Sequence, residues 1–405
     1  MATYPPSPSD TPTPVGQQVE KYRRSKRSDL AIWWREIDRT LLLLVLVLMA
    51  FGAAAVAAAS PASARRLSTD AVTLDNLHFF MLHVRWQVMG LALMFGASML
   101  TKDAARRVGI VLAAAMLVAL MLVPVVGHEV NGAKRWLNLG VSLQPSEFLK
   151  PGFAVVLAWV LSWRVRDPEM PVIEISVALM GLIAVLLMLQ PDFGSTILFG
   201  SVWFTLVLLS GISIKRMVMT GVAGLAGLVA AYMLYDNARY RIDSFLGGGT
   251  AFDHVDLAQR TLLNGGWTGS GFWLGSRKMS LPEAHTDYIF SVIGEEFGLI
   301  TCAIIILIFL AIMVRVLLRL VEEEDLFTVL AGTGLAAQFG GQAFINMLVN
   351  LQLFPSKGMT LPLISYGGSS TLALCLGIGL LLAITRRNPF IERERFSLRD
   401  IGVMP

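Results

Sequence analysis

Ten long apolar stretches constrain this chain more than any other feature of its sequence. They lie near residues 40–59, 86–100, 108–126, 147–163, 172–190, 195–211, 216–235, 288–314, 326–351 and 359–385. A membrane-spanning helix needs about 20 predominantly apolar residues. The chain is 15% charged, whereas soluble domains carry about 25% charged residues. The sequence therefore predicts an all-α polytopic membrane protein with about ten transmembrane helices.

Basic residues predict how these spans are oriented. With ten spans both termini face one side, and the segments on that side hold 21 of the 33 Lys and Arg residues. Because cytoplasmic loops are enriched in Lys and Arg, we expect both termini in the cytoplasm. This gives a basic, disordered N-terminal tail over 1–38, a membrane domain over 39–387 and a C-terminal tail over 388–405. One long extracytoplasmic loop then covers 236–287.

Composition also limits the classes of partner. The pI of about 9.1 comes largely from the cytoplasmic edge and suits an anionic lipid leaflet, so nucleic-acid binding is not expected. Cys302 and Cys375 fall inside predicted spans, where a free Cys packs as a small apolar residue. No spacing specifies a metal site. Scattered acids still leave a divalent cation, Mg or Mn, open.

The stretch Leu281–Phe290 places polar groups at the mouth of a predicted span. A carboxylate in this position is costly unless it has a use, which makes Asp287 a candidate for proton abstraction. Other charged groups are expected near the same outward level. The cations are Lys134, Arg135, Lys150, Arg239, Arg241, Arg277, Lys278 and Lys357, and the acids are Glu147, Asp192, Glu283, Asp287, Glu295 and Glu296.

A cationic rim of this kind suits a phosphate or diphosphate group. Several members also have simpler interpretations. Glu147 and Lys150, three residues apart, can pair on one helix face, and Asp192 can cap the following helix. The small polar residues between Asn346 and Ser370 indicate either close helix packing or a wet cavity.

Five motifs resemble those of the SEDS family, named for shape, elongation, division and sporulation. They are NGAKRW at 131–136, QPSE at 144–147 with Lys150, QPDFG at 190–194, LPEAHTDYIF at 281–290 with GEEFG at 294–298, and LPLISYGGSS at 361–370 after PSKG at 355–358. Their order and spacing follow the family pattern from about residue 40 to residue 390. The long N-terminal tail and the run Phe79–Gln87 look more like the family's cell-division branch than its elongation branch.

The resemblance implies a peptidoglycan glycosyltransferase that polymerises lipid II at the septum from the bacterial inner membrane. Asp287 falls on the family's acid and would act as base on the acceptor sugar. The resemblance also implies a class B penicillin-binding transpeptidase and other divisome proteins as partners, besides the bilayer. The residues expected to bind the sugar or diphosphate are Lys134, Arg135, Glu147, Lys150, Asp192, Arg241, Lys278, His285, Glu296, Lys357 and Ser369.

Two other functions compete with this interpretation. A lipid II flippase would also need polar groups within spans and a basic cavity, but the motifs here crowd the outward end rather than the bilayer midplane. A non-catalytic scaffold that recruits a transpeptidase would leave Asp287 and the cationic rim unexplained.

Overall fold

The computed structural model describes residues 29–387 except 70–71, 131–132, 139, 141, 212–213, 248–251 and 356–357. Its helices and strands, in chain order, are α1 Asp29–Glu36, α2 Arg39–Leu67, α3 His78–Ser98, α4 Lys102–Val126, β1 His128–Val130, β2 Ala133–Asn138, β3 Ser142–Leu143, α5 Pro145–Ser162, α6 Val172–Leu189, α7 Phe193–Leu209, α8 Ile214–Leu234, α9 Asp236–Gly247, α10 Phe252–Asn264, α11 Ile289–Val321, α12 Leu326–Asn350 and α13 Gly368–Ile384. Residues Thr40–Thr385 form one compact unit. In the other compact unit, Arg386 pairs with Glu36 of α1 at 3.2 Å.

The architecture confirms the predicted polytopic helical membrane protein. Each of the ten apolar stretches overlaps one helix among α2–α8 and α11–α13. Six helices within the described residues, α2–α6 and α11, are long and apolar enough to cross a membrane, and α7 and α13 are shorter apolar helices. The helix α12 has 25 residues, but its buried residues include four carboxamides, Gln338, Gln342, Asn346 and Asn350.

Several boundaries differ from those expected. The second span begins at His78 rather than near residue 86, because the run Phe79–Gln87 is helical. The tenth helix begins only at Gly368, and residues 359–367 are not helical, with a turn over 362–364. The segment between α4 and α5, expected as a loop, contains a small antiparallel sheet in the order β1-β2-β3.

The long loop is folded against a break in α11. Gly298 has φ 85° and ψ 169°, so the helix is interrupted there. The carbonyls of Gly266 and Trp267 accept bonds from the N–H groups of Leu299 and Ile300 at 3.0 and 3.2 Å. The N–H groups of Ser270 and Gly271 donate to Glu295 O and Glu296 O at 2.8 and 3.1 Å. The loop thus supplies the partners that the broken helix lacks, as buried backbone groups require.

Two buried carboxylates hold the rest of this loop. Glu295 accepts from the N–H groups of Arg277 and Lys278 at 2.7 and 2.8 Å and from Asn264 Nδ2 at 3.0 Å. Glu296 accepts from Gly275 N at 3.1 Å, from Trp273 N and from Lys278 Nζ. Both acids therefore bind the loop that precedes α11, and substrate binding by Glu296 stays a prediction.

Glycines in the loop are explained by this close approach. A methyl group at Gly265 would collide with backbone atoms of Gly294 and Glu295, and one at Gly269 with backbone atoms of Glu296 and Phe297. Gly269 also has φ +85°, a left-handed conformation that costs other residues about 1–2 kcal/mol.

Gly269→Ala is predicted to lower the thermal unfolding midpoint much more than Gly140→Ala. Gly140 has nearly the same φ, +86°, but a methyl group added there would meet nothing within 4 Å, so that variant loses only about 1–2 kcal/mol of conformational energy. Gly269→Ala adds a backbone collision, and overpacking costs about 1–3 kcal/mol more. Equal midpoints for the two purified variants would contradict the docking of this loop on α11.

Candidate functional site

The carboxylate of Asp287 and the guanidinium of Arg135 converge on Gly358. A Cβ atom placed on Gly358 would lie 3.5 Å from Asp287 Oδ2 and 4.0 Å from Arg135 Nη1. The two charged atoms are therefore no more than the sum of these distances, about 7.5 Å, apart. Gly358 is exposed and both side chains are partly exposed, so an acid and a cation border the same accessible region.

Arg135 is held in place by backbone carbonyls. From β2, its Nε donates to Gln190 O at 3.0 Å and its Nη2 donates to Pro191 O. The Gln190 side chain in turn donates to Leu120 O at 2.9 Å. These bonds fix the connection between α6 and α7 against the small sheet, and they orient the planar guanidinium with Nη1 toward Gly358.

The main chain of Asp287 is fixed by two buried asparagines of α12. Its carbonyl accepts from Asn346 Nδ2 at 2.8 Å and from Asn350 Nδ2 at 3.1 Å. Asn350 Oδ1 also accepts from Ser291 N at 3.2 Å and from Ser291 Oγ at 2.7 Å. One side chain thus holds Asp287 and gives the Ser291 amide, in the first turn of α11, a second acceptor besides Tyr288 O.

The same face of α12 holds the segment that follows Gly358. Asn346 Nδ2 donates to Met359 O at 2.7 Å, and Gln342 Nε2 donates to Thr360 O at 3.1 Å. Gln342, Asn346 and Asn350 are four residues apart and therefore share one helix face. We call these three residues the carboxamide ladder. It binds both chain segments that meet at the accessible region beside Asp287.

His285 packs into the bundle two residues before Asp287. It shares a hydrogen bond with Ser63 Oγ through Nδ1 at 2.8 Å, and its ring lies 4.3 Å from that of Phe79 and 5.4 Å from that of Tyr366. Burial lowers the pKa of His285 to about 4, against a smaller opposing effect of the Glu283 charge. The ring is therefore neutral at pH 7. Its contacts tie the loop to α2 and α3, and substrate binding by His285 stays a prediction.

Glu147 and Lys150 form a buried ion pair behind the ladder. Lys150 Nζ lies 2.6 Å from Glu147 Oε1 and donates to Gln342 Oε1 at 2.9 Å. The pair lines a small cavity between α5, α12 and α13, together with Gln338 and Phe339. Within the described residues, Glu147 Oε2 is buried without a hydrogen-bond partner. The structure thus connects this pair to the Asp287 region through Gln342.

Two other expected site residues make structural contacts. Asp192 caps α7, accepting from Ser195 N at 3.1 Å and from Ser195 Oγ at 2.8 Å. Ser369 Oγ donates to Ser142 O at 3.0 Å and accepts from Gln144 N at 3.2 Å, so it joins β3 to the start of α13. Substrate binding by these two residues stays a prediction.

The remaining expected cations differ from Arg135 in their surroundings. Lys278 is 2% exposed and its ammonium is paired with Glu296 and bonded to Ala58 O, which are the contacts of a structural ion pair. Lys134 is exposed on β2. Arg241 lies in α9, but its side chain is outside the described part of the chain, and so is the whole of Lys357.

Metal binding has no candidate cluster within the part of the chain that the structure describes. No three His, Cys, Asp or Glu side chains are grouped there in a way that could hold an ion. The divalent cation that the sequence leaves open therefore has no assigned site.

The asparagines of the ladder and Ser63 are functional candidates that the sequence motifs do not point to. The four-residue spacing of carboxamides within an apolar run is the signal that could have identified the ladder, since it predicts a single buried polar stripe on a helix. Ser63 had no comparable signal, because its partner lies 222 residues away.

Comparisons with known proteins identify the family of this chain. The family model FTSW_RODA_SPOVE, described as "Cell cycle protein", matches residues 38–389. The probable peptidoglycan glycosyltransferase FtsW of Caulobacter vibrioides is 36% identical over 370 residues, covering 91% of this chain and 94% of that protein. The protein of the same name from Methylococcus capsulatus is 35% identical over 364 residues, covering 86% of this chain and 89% of that protein.

Solved structures show the same fold. A chain in a structure titled "Structural coordination of polymerization and crosslinking by a peptidoglycan synthase complex" has a TM-score of 0.71 and 28% identity, covering 89% of this chain and 99% of that one. The rod shape determining protein RodA of Thermus thermophilus has a TM-score of 0.64 and 27% identity, covering 87% of this chain and 97% of that one. By sequence and by fold, this chain belongs to the SEDS family that includes FtsW and RodA.

Proposed function

We propose that this protein is a peptidoglycan glycosyltransferase that polymerises lipid II into glycan strands during septal wall synthesis. The observation that carries the proposal is the convergence of Asp287 and Arg135 on the accessible region beside Gly358. The names of its relatives, probable peptidoglycan glycosyltransferase FtsW, support the reaction class. We also propose a class B penicillin-binding transpeptidase as partner, since a structural relative comes from a peptidoglycan synthase complex.

The proposed reaction gives each charged group one task. Asp287 removes the proton from the attacking hydroxyl of one sugar as that oxygen bonds to the anomeric carbon of another. The bond between that carbon and the diphosphate oxygen breaks, and the polyprenyl diphosphate leaves with the electron pair. Arg135 stabilises the negative charge that develops on the diphosphate, a role for which a preoriented guanidinium is well suited.

The carboxamide ladder would keep the base in position for this step. A general base must lie within hydrogen-bonding reach of the proton it removes, and small displacements of reacting groups cost large factors in rate. Asn346 and Asn350 bind the carbonyl of Asp287 itself. They are positioning residues in this proposal, because they act through Asp287 and not on the substrate.

The distribution of basic residues supports a placement of the protein in the membrane. We propose that the Asp287 end faces away from the cytoplasm of a bacterial inner membrane, with both termini in the cytoplasm, because basic residues concentrate at the other end of the spans. The sugar and diphosphate of lipid II would then bind at this end while the polyprenyl chain stays in the bilayer. Lys134, Arg241 and Lys357 are further cations proposed to meet the diphosphate.

Replacing the base is predicted to abolish polymerisation. Asp287→Asn keeps the size of the side chain but cannot accept the proton, so glycan formation from purified lipid II should fall about 10²–10⁴-fold. Glu283→Gln is the matched control, because it neutralises an exposed carboxylate four residues away whose hydrogen bond is to Thr286. Both variants are assayed with the transpeptidase present. Undiminished polymer from Asp287→Asn would eliminate the proposed base.

Loss of a ladder side chain is predicted to reduce kcat with little change in KM. Asn346→Ala removes a donor to Asp287 O, and the less constrained carboxylate should lower kcat about 10-fold or more. Gln338→Ala is the control, because Gln338 lies on the same face of α12 two turns from Asn346. Recovery of activity in Asn346→Gln, which restores a carboxamide donor, would support positioning. A ladder variant with normal kcat and reduced stability alone would assign Asn346 a purely structural role.

A further inference from the structure

The folded loop exposes a cluster of large apolar side chains. Trp267, Phe272, Trp273 and Leu274 are 73%, 46%, 52% and 73% exposed, and we call these four residues the aromatic patch. The proposed reaction assigns none of them a role. Exposed apolar clusters in folded proteins usually mark an interaction surface.

The patch is held rigidly by the protein behind it. The rings of Phe272 and Trp273 stack with centroids 5.0 Å apart, and Phe272 also lies 6.0 Å from the ring of Phe297. Trp273 donates its backbone N–H to Glu296 and its indole Nε1–H to Ala57 O at 3.0 Å. These contacts hold the patch on the protein, and its four side chains nonetheless stay 46–73% exposed.

The contact with Ala57 gives the depth of the patch along α2. This helix is a candidate membrane span that starts at Arg39, and Ala57 lies 17 residues after Thr40. At a rise of about 1.5 Å per residue this places Ala57 about 26 Å along the helix, or less across the membrane if the helix is tilted. The hydrocarbon core of a bilayer is about 30 Å thick, so Trp273 lies near its far boundary.

The break in α11 gives a second, independent depth. Trp267 O bonds to Ile300 N beside Gly298, and the next basic residue along α11 is the exposed Arg315. The charge of Arg315 must reach the polar boundary at the opposite side of the membrane. Gly298 and Arg315 are 17 residues apart, again about 26 Å at the helical rise. Both helices therefore place the patch at the same membrane boundary.

We propose that the aromatic patch inserts into the leaflet on the Asp287 side of the membrane and binds its lipids. Trp is enriched at this level because its ring is apolar and its N–H is polar. The exposed Arg277, close to the patch in the loop, would meet the headgroups. The patch thereby anchors the loop that leads into Asp287 to the same leaflet in which a polyprenyl lipid would arrive.

The test measures the depth of a spin label at Leu274 in the full-length protein reconstituted in phospholipid nanodiscs. Leu274→Cys can be labelled selectively, because the native Cys302 and Cys375 are buried. The label is predicted to collide several-fold more with oxygen, which concentrates in lipid, than with a water-soluble nickel complex. Arg260→Cys is the control: its charged side chain is 63% exposed on α10, so a label there should favour the nickel complex.

A second measurement does not require labelling. Tryptophan fluorescence of the native protein should be quenched more by brominated lipids than that of Trp267→Phe, since Trp267 is proposed to contact acyl chains. A label at 274 that favours nickel as strongly as the one at 260 would overturn the proposal. So would a label that is protected only after the transpeptidase is added, because the patch would then be a protein-docking face. Neither result depends on polymerisation activity.

Discussion

The hydrogen bonds between the carboxamide ladder of α12 and the carbonyl of Asp287 are the interactions on which the site depends. Buried polar groups in a membrane-embedded bundle are costly unless they are paired, and Asn346 and Asn350 meet this condition by binding loop backbone from two sides. These hydrogen bonds therefore strongly favour one position of the loop backbone at Asp287. It determines where the chain turns into α11 and where the Asp287 carboxylate emerges.

The long loop depends on a second set of paired polar groups. Gly298 interrupts α11, and the freed amides and carbonyls bond to residues 266–271. The side chains of Glu295 and Glu296 also bind the loop, through the backbone N–H and the ammonium of Lys278. The broken helix and the glycine-rich loop thus satisfy each other's backbone hydrogen-bonding groups. The loop then leads to Asp287 with its aromatic patch exposed.

The sequence predicted the membrane class and the positions of the spans well, because apolar runs of about 20 residues are typical of transmembrane helices. It also predicted roles for Asp287 and Arg135. The structure brings these two residues to the same accessible region, and their roles stay predictions. The sequence could not distinguish Lys278 from Arg135, because both are cations in outward segments. The burial of Lys278 and its pairing with Glu296 depend on residues 18 positions apart meeting where the loop packs on α11. The ladder, the small sheet and the non-helical segment before Gly368 likewise depend on tertiary contacts that local patterns do not reveal.

A structure of the protein with two bound lipid II molecules, or unreactive analogues, would show directly whether Asp287 is the base. The acceptor hydroxyl is predicted to lie within about 3.2 Å of an Asp287 carboxylate oxygen, the reach of a general base, with the donor diphosphate against Arg135. A complex in which both sugars bind away from Gly358, with Asp287 facing neither substrate, would contradict the central claim.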